Sequence, residues 1–288
     1  MADVPPNIRR LREIIRDCTL CPRNCRVDRT AGRLGACRIG ATAVVASTGP
    51  HFGEEPVLVG RGGSGTIFFS GCNLACVFCQ NWDISHTTDG DPAAPDQIAQ
   101  MALTLQRAGC ENVNFVSPTH VAFAVAEAVW HARAAGLTVP IVYNCGGYES
   151  VETLRLLEGL VDIYMPDFKY ADPAAALRYS GVPDYPARAA AALAEMYRQV
   201  GPLQIDAARV AGRGVLVRHL VMPADLARSR QVIDLVARVA PASAINVMGQ
   251  YRPAGQARQF PELMARPDME TVADLRRYAV SLGLLRAD

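Results

Sequence analysis

Cys72, Cys76 and Cys79 of the segment SGCNLACVFCQN are spaced C-x3-C-x2-C. Three thiolates this close wrap a loop around one inorganic centre, and soft sulfur ligands select zinc, Cu(I) or an iron–sulfur cluster. The number three is informative. A four-iron cluster normally takes four cysteines, so a three-cysteine loop leaves one iron open to a substrate or cofactor. A structural zinc loop completed by a distant His or Cys is the alternative. A second set, Cys18, Cys21, Cys25 and Cys37, reads C-x2-C-x3-C-x11-C with Pro22, Gly32 and Gly35 as turn residues. It suits one tetrahedral S4 site for zinc or iron, in which zinc would add folding energy and iron an electron route. The last two of the nine cysteines are Cys110, a buried apolar thiol, and Cys145, a site candidate at the end of a strand.

The basic residues single out one more position. Lys and Arg together number 29, and Lys169 is the sole lysine among them. A primary amine is a compact donor that reaches where a planar guanidinium cannot, so Lys169 is a site candidate. The 29 basic side chains face 28 acidic ones, for a net charge of +1, which excludes a strongly basic nucleic-acid binder. No apolar run approaches the ~18 residues of a membrane span. The start MADVPPNIRRLREIIRD has no apolar secretion core, so a cytoplasmic location is expected. Nine cysteines then point to metal or redox chemistry rather than disulfides.

These residues need a scaffold. The chain has 288 residues and is 50% hydrophobic, enough for one large α/β unit. From residue 64 onward, short apolar runs alternate with helical spacing. Strands are predicted at 66–69, 112–116, 139–143, 161–165, 215–220 and 244–248. Unbroken apolar runs suit parallel strands covered on both faces. Six βα units in series predict a parallel sheet or incomplete barrel, since a closed eight-unit barrel typically takes ~250 residues. Residues 173–200 read as two helical pieces around Pro183–Pro186. Ahead of them, residues 1–63 divide into a short amphipathic helix (Ile8, Leu11, Ile14, Ile15), the four-cysteine segment and a Gly-rich approach over 41–63. His51, Glu54 and Glu55 there read as solvated loop residues. GRGGSG lacks the Gly-Lys-Ser/Thr ending of a phosphate loop and precedes a strand instead of opening a helix.

The three-cysteine spacing, with aromatic Phe78 before the third cysteine, resembles the radical S-adenosylmethionine (SAM) superfamily. Residues 64–255 resemble its pyruvate formate-lyase activating-enzyme branch, and the whole chain is similar to short activating-enzyme-like members carrying C-x2-C-P-R-x-C, matched by CTLCPRNC. The resemblance implies an incomplete (β/α)6 parallel barrel over 64–288 with a small N-terminal metal-binding segment over 1–63. It implies a 4Fe-4S cluster on Cys72, Cys76 and Cys79 whose open iron chelates SAM, one-electron reduction of the sulfonium, and a 5′-deoxyadenosyl radical that abstracts hydrogen from the substrate. Phe78 would lie beside the adenine and Asn81 would help bind SAM. Asn144-Cys145-Gly146-Gly147 stands at the family's Asp-Thr-Asn-Gly, and Asp167-Phe168-Lys169 at Asp-Leu-Lys. VRHLVMP matches the fifth-strand pattern, and Gly249-Gln250-Tyr251 aligns loosely with Pro-Tyr-His. Asp167 would then hold ribose or the amino group, Lys169 the carboxylate, and Asn144 and Tyr251 further parts of SAM.

Two departures bear on function. The family's Gly-Gly-Glu is replaced by Ser117-Pro118-Thr119-His120, so Ser117, Thr119 or backbone carbonyls would take over its hydrogen bonding. His120 is a candidate to meet the substrate or a packed core histidine. Cys145 is a candidate hydrogen-atom donor or a packing residue, and Arg252 a weak candidate for an anionic substrate. The extra ferredoxin-like cysteines of longer activases are missing after the loop. Three functions compete: a radical SAM oxidoreductase activating a glycyl-radical enzyme, the same chemistry on a small molecule or peptide, and a non-catalytic zinc or electron-transfer protein. The enzymatic ones imply a donor such as flavodoxin or ferredoxin; nucleic-acid and membrane partners are not expected.

Overall fold

The computed structural model describes residues 4–287. In chain order the strands are β1 (Ala43–His51), β2 (Ser64–Phe69), β3 (Asp91–Ala93), β4 (Asn112–Val116), β5 (Ile141–Cys145), β6 (Ile163–Pro166), β7 (Gln204–Ile205), β8 (Ala211–Leu220), β9 (Ala244–Met248) and β10 (Leu285–Arg286). The α-helices are α1 (Pro6–Ile14), α2 (Pro56–Val59), α3 (Trp82–Ser85), α4 (Pro95–Arg107), α5 (Ala122–Ala134), α6 (Val151–Leu156), α7 (Pro173–Ser180), α8 (Tyr185–Val200), α9 (Ser229–Val239) and α10 (Met269–Ser281).

One mostly parallel sheet runs in the order β10-β9-β8-β6-β5-β4-β2-β1-β3. From β2 to β9 every neighbouring pair in that order is parallel, whereas β1 pairs antiparallel with β2. β4 and β5 are buried at every residue, as strands covered on both faces must be. The helices between them start where sequence supplies caps. Asp172 accepts the Ala174 amide at α7, Ser150 that of Thr153 at α6, and Asp268 that of Thr271 at α10. Val232, Ile233 and Val236 of α9 turn one apolar face to the sheet and are fully buried.

The sheet is curled, because one short segment meets strands from distant parts of its order. Leu58 accepts from Asn112 Nδ2 of β4 at 2.7 Å, Glu54 meets Arg218 of β8 at 3.4 Å, and Glu55 accepts from Asn246 Nδ2 of β9 at 3.1 Å. Val57 and Leu58 pack with Val142, Ile163, Met165 and Leu216 on the concave side. Residues 41–63 are therefore not the irregular approach that their glycines suggest. They form β1, which extends the sheet past β2, and then α2, which fills the barrel interior. α1 packs outside: Ile8 and Leu11 are fully buried, Arg12 pairs with Glu127 of α5, and Asn7 donates to the Leu156 carbonyl at 2.9 Å. No helix among the described residues is long and apolar enough to cross a membrane.

Candidate active site

The three-cysteine loop leaves the C-terminal end of β2, where parallel α/β folds collect reactive groups. Ala75 adopts a positive φ of 51° there. Each sulfur of the trio has a hydrogen-bond donor. Leu74 N approaches Cys72 Sγ at 3.4 Å, Ser180 Oγ reaches Cys76 Sγ at 3.0 Å, and Ser85 Oγ reaches Cys79 Sγ at 3.1 Å. Burial raises the pKa of the Cys72 and Cys76 thiols, and the nearby Lys169 ammonium opposes that shift. Donors and a cation around three thiols stabilise thiolate, the form that binds iron. Three soft thiolates on one loop, each with a donor, are a donor set that fits an iron–sulfur group. The neighbouring His86 imidazole is engaged elsewhere: its Nδ1 is 2.8 Å from Ser85 Oγ, and its ring stacks on Trp82 with centroids 3.5 Å apart.

Beside the loop lies a charged network. Lys169 Nζ donates to Asp167 Oδ2 at 2.7 Å, Arg218 Nε donates to Asp167 Oδ1 at 2.9 Å, and Arg218 Nη2 donates to Asn144 Oδ1 at 2.6 Å. These residues come from the ends of β6, β8 and β5. Burial opposes charge on Asp167, but Arg218 and Lys169 outweigh it and hold its pKa below the usual value. Burial likewise disfavours the Lys169 ammonium, yet Asp167 keeps its pKa above the ordinary lysine value. Gly147 makes the approach possible: its φ is 77°, and a Cβ would stand 2.2 Å from the Asp167 carbonyl oxygen. Tyr185 braces the same place, its hydroxyl meeting the carbonyls of Gly146 and Asp167 at 2.9 and 2.8 Å.

The predicted site residues divide into three groups. Cys72, Cys76, Asn144, Asp167 and Lys169 converge as described, with Cys79 completing the loop. Phe78 and Tyr251 meet each other with ring centroids 6.1 Å apart, and Tyr170 and Tyr179 close around Phe78. The Tyr251 segment is tied to the loop through Gln256 N, which donates to the Val77 carbonyl at 2.7 Å. Asn81 is exposed at the start of α3, and Ser117 leaves β4 with φ 59° while its amide donates to the Asn144 carbonyl at 2.8 Å. His120 and Cys145 belong to the outer layer. His120 is buried with Nε2 2.8 Å from the Ser70 carbonyl, and burial lowers its pKa to about 4, so it is a neutral brace for the strand entering the loop. Cys145 is buried beside Glu149, whose Oε1 accepts from Thr119 Oγ1 at 2.6 Å. Cys110 is the buried apolar thiol expected.

Sequence reasoning passed over Arg218 and Ser180 and placed Glu54 and Glu55 in a solvated loop. A charge within the apolar strand VRHLV signals Arg218; nothing local signals the others. Glu54 and Glu55, expected in solvent, are drawn inside because Arg218 and Asn246 supply partners there.

The radical SAM superfamily model matches residues 66–222 of this chain. The chain belongs to the radical SAM superfamily. The match begins in β2 and ends just past β8, so it spans the three-cysteine loop, Asp167, Lys169 and Arg218. An uncharacterized protein of Methanocaldococcus jannaschii is 32% identical across 98% of this chain and 81% of its own length. Among solved structures, the radical SAM methyltransferase TsrM from Kitasatospora setae, with cobalamin and a 4Fe-4S cluster bound, is 15% identical with a TM-score of 0.49. TsrM with tryptophan and a SAM analog gives a TM-score of 0.48 at 15% identity. The aligned region is 65% of this chain but 37% and 36% of those TsrM chains. As a radical SAM protein the chain is an iron–sulfur enzyme, with a 4Fe-4S cluster and SAM as its cofactors.

Proposed function

We propose that this radical SAM protein is an activating-enzyme-like oxidoreductase that draws a hydrogen atom from a glycine of a partner glycyl-radical enzyme. The observation that carries the chemistry is the loop: three thiols, each with its own hydrogen-bond donor, and a neighbouring imidazole already engaged elsewhere. Held by Cys72, Cys76 and Cys79, a 4Fe-4S cluster would supply one electron to the SAM sulfonium, breaking a carbon–sulfur bond to give methionine and a 5′-deoxyadenosyl radical. The chain's own residues hold and orient SAM. Lys169 presents a permanent positive charge for the carboxylate, and Asp167, kept ionised by Arg218, accepts from the ribose or amino group. Asn144 and Asn81 add amide contacts. Ser117, in its left-handed turn, stands in for the missing Gly-Gly-Glu. Phe78 and Tyr251 form the aromatic wall for the adenine. A low-potential flavodoxin or ferredoxin supplies the electron.

A second target class, a small polar molecule or peptide, is supported by the barrel interior. Glu55 Oε2 and Asn114 Oδ1 are buried there without hydrogen-bond partners among the described residues, acceptors that a ligand's donors would satisfy.

Anaerobic reconstitution tests the reaction. The protein is expected to hold iron and sulfide and to release 5′-deoxyadenosine with dithionite and SAM. Cys76→Ala should lose that product while keeping its fold. A preparation containing only zinc that yields no nucleoside under strict anaerobiosis refutes the proposal. Electron paramagnetic resonance with a candidate glycyl-radical enzyme separates the targets: a doublet on the partner supports activation, and SAM cleavage without it supports the second class.

A further inference from the structure

The four-cysteine segment contains a buried charge, Arg29, that pairs with no carboxylate among the described residues. All four are free thiols; Cys18 and Cys37 are buried, and Cys21 and Cys25 half-buried. Arg29 is 1% exposed, with Nη1 3.9 Å from Cys18 Sγ and 2.8 Å from the His120 carbonyl oxygen. Its Nη2 is buried with no hydrogen-bond partner among the described residues. A guanidinium cannot shed its proton to escape burial, and although the Gly40 carbonyl at 2.8 Å and the Phe123 ring at 5.1 Å solvate it, its charge favours an anion nearby. Four thiolates around a metal centre are the anion these residues can make.

The backbone is prepared for that state. Its turns bring these side chains toward one another: Gly35 N donates to the Ile39 carbonyl at 3.1 Å, and Cys18 N donates to that of Val27 at 3.1 Å. A Cβ on Gly35 would lie 3.1 Å from Cys37 Sγ and 3.6 Å from Cys25 Sγ, so this glycine brings both sulfurs against one short stretch of backbone. A centre packed against the catalytic loop is placed to pass it electrons, which iron can do and redox-inert zinc cannot.

We propose that Cys18, Cys21, Cys25 and Cys37 hold a second iron–sulfur cluster, docked against the catalytic loop. Arg23, between Cys21 and Cys25, makes the joint. Its Nε donates to the Asn73 carbonyl at 2.7 Å, and Nη2 donates to those of Leu74 and Ser180 at 3.0 and 2.9 Å. On the other side the Cys37 carbonyl oxygen lies 2.5 Å from where a Gly71 Cβ would be, one residue before Cys72. The two cysteine sets are thus packed through adjacent backbone.

The test uses the full chain and does not depend on SAM chemistry. A Cys72→Ala/Cys76→Ala/Cys79→Ala variant, reconstituted anaerobically with iron and sulfide, should keep about half of the wild-type iron and sulfide, with a reducible cluster signal in electron paramagnetic resonance. The complementary Cys21→Ser/Cys25→Ser variant should lose about the same share and decides the matter should the first not fold. Zinc instead of iron in the triple variant, or full wild-type iron in the complementary one, overturns the proposal. Neither readout touches SAM cleavage, so the proposed activity stands or falls separately.

Discussion

Asp167 holds two cations at once, Lys169 at 2.7 Å and Arg218 at 2.9 Å. Asp167→Asn keeps the shape and deletes the charge, leaving an ammonium and a guanidinium facing each other. Their side chains are 21% and 17% exposed, so water screens them only partly. Removing one partner costs about 3–5 kcal/mol for a buried pair and up to about 1 kcal/mol for an exposed one. This network lies between, at about 2–3 kcal/mol. For a chain of this length that lowers Tm by about 5–10 °C. Lys169→Met alone leaves Asp167 on Arg218 and costs about 1 kcal/mol. Since it deletes the charge offered to the SAM carboxylate, it weakens SAM binding about tenfold or more. In the double variant one cation has gone with the carboxylate, so the loss is smaller than the sum by about 1–2 kcal/mol. Thermal unfolding followed by circular dichroism on the four proteins measures the coupling, and equilibrium dialysis measures SAM. Additive stability losses would show that the pair is screened, and unchanged SAM affinity in Lys169→Met would remove Lys169 from the site.

Two further perturbations probe the surroundings. Ser180 Oγ, 3.0 Å from Cys76 Sγ, favours the more negative reduced cluster, so Ser180→Ala should lower its midpoint potential by about 50–100 mV in a potentiometric titration followed by electron paramagnetic resonance; an unchanged potential would mean that the hydroxyl does not act on the sulfur. Burial lifts the Glu54 carboxyl to about 7, against Arg218 and with Glu55 adding to the rise. The folded state therefore binds this proton more tightly than the unfolded one. The contribution is complete below the ordinary carboxylate value and is lost as pH rises through about 7. Urea midpoints should fall between about pH 5 and 8, and Glu54→Gln should flatten that slope; a variant with the wild-type slope counts against it.

Chain order dictates what is local. Ligand spacing at Cys72, Cys76 and Cys79 is written along one loop, and the six central parallel strands are legible because strands covered on both faces must be nearly unbroken apolar runs. Lys169 stands out by composition alone. Partnership at long range emerges on folding. Arg218 reaches Asp167 and Glu54 because β8 lies beside β6 and α2 fills the curled sheet. Ser180 reaches Cys76, and Arg23 reaches the loop carbonyls, across separations that no spacing pattern records. The same holds for Glu54 and Glu55: as a sequence, HFGEEP is a polar turn, and it becomes barrel interior only once distant strands offer it cations and amides. The physical reason is that a buried charge is tolerated wherever a partner exists, and folding, not chain order, chooses the partner.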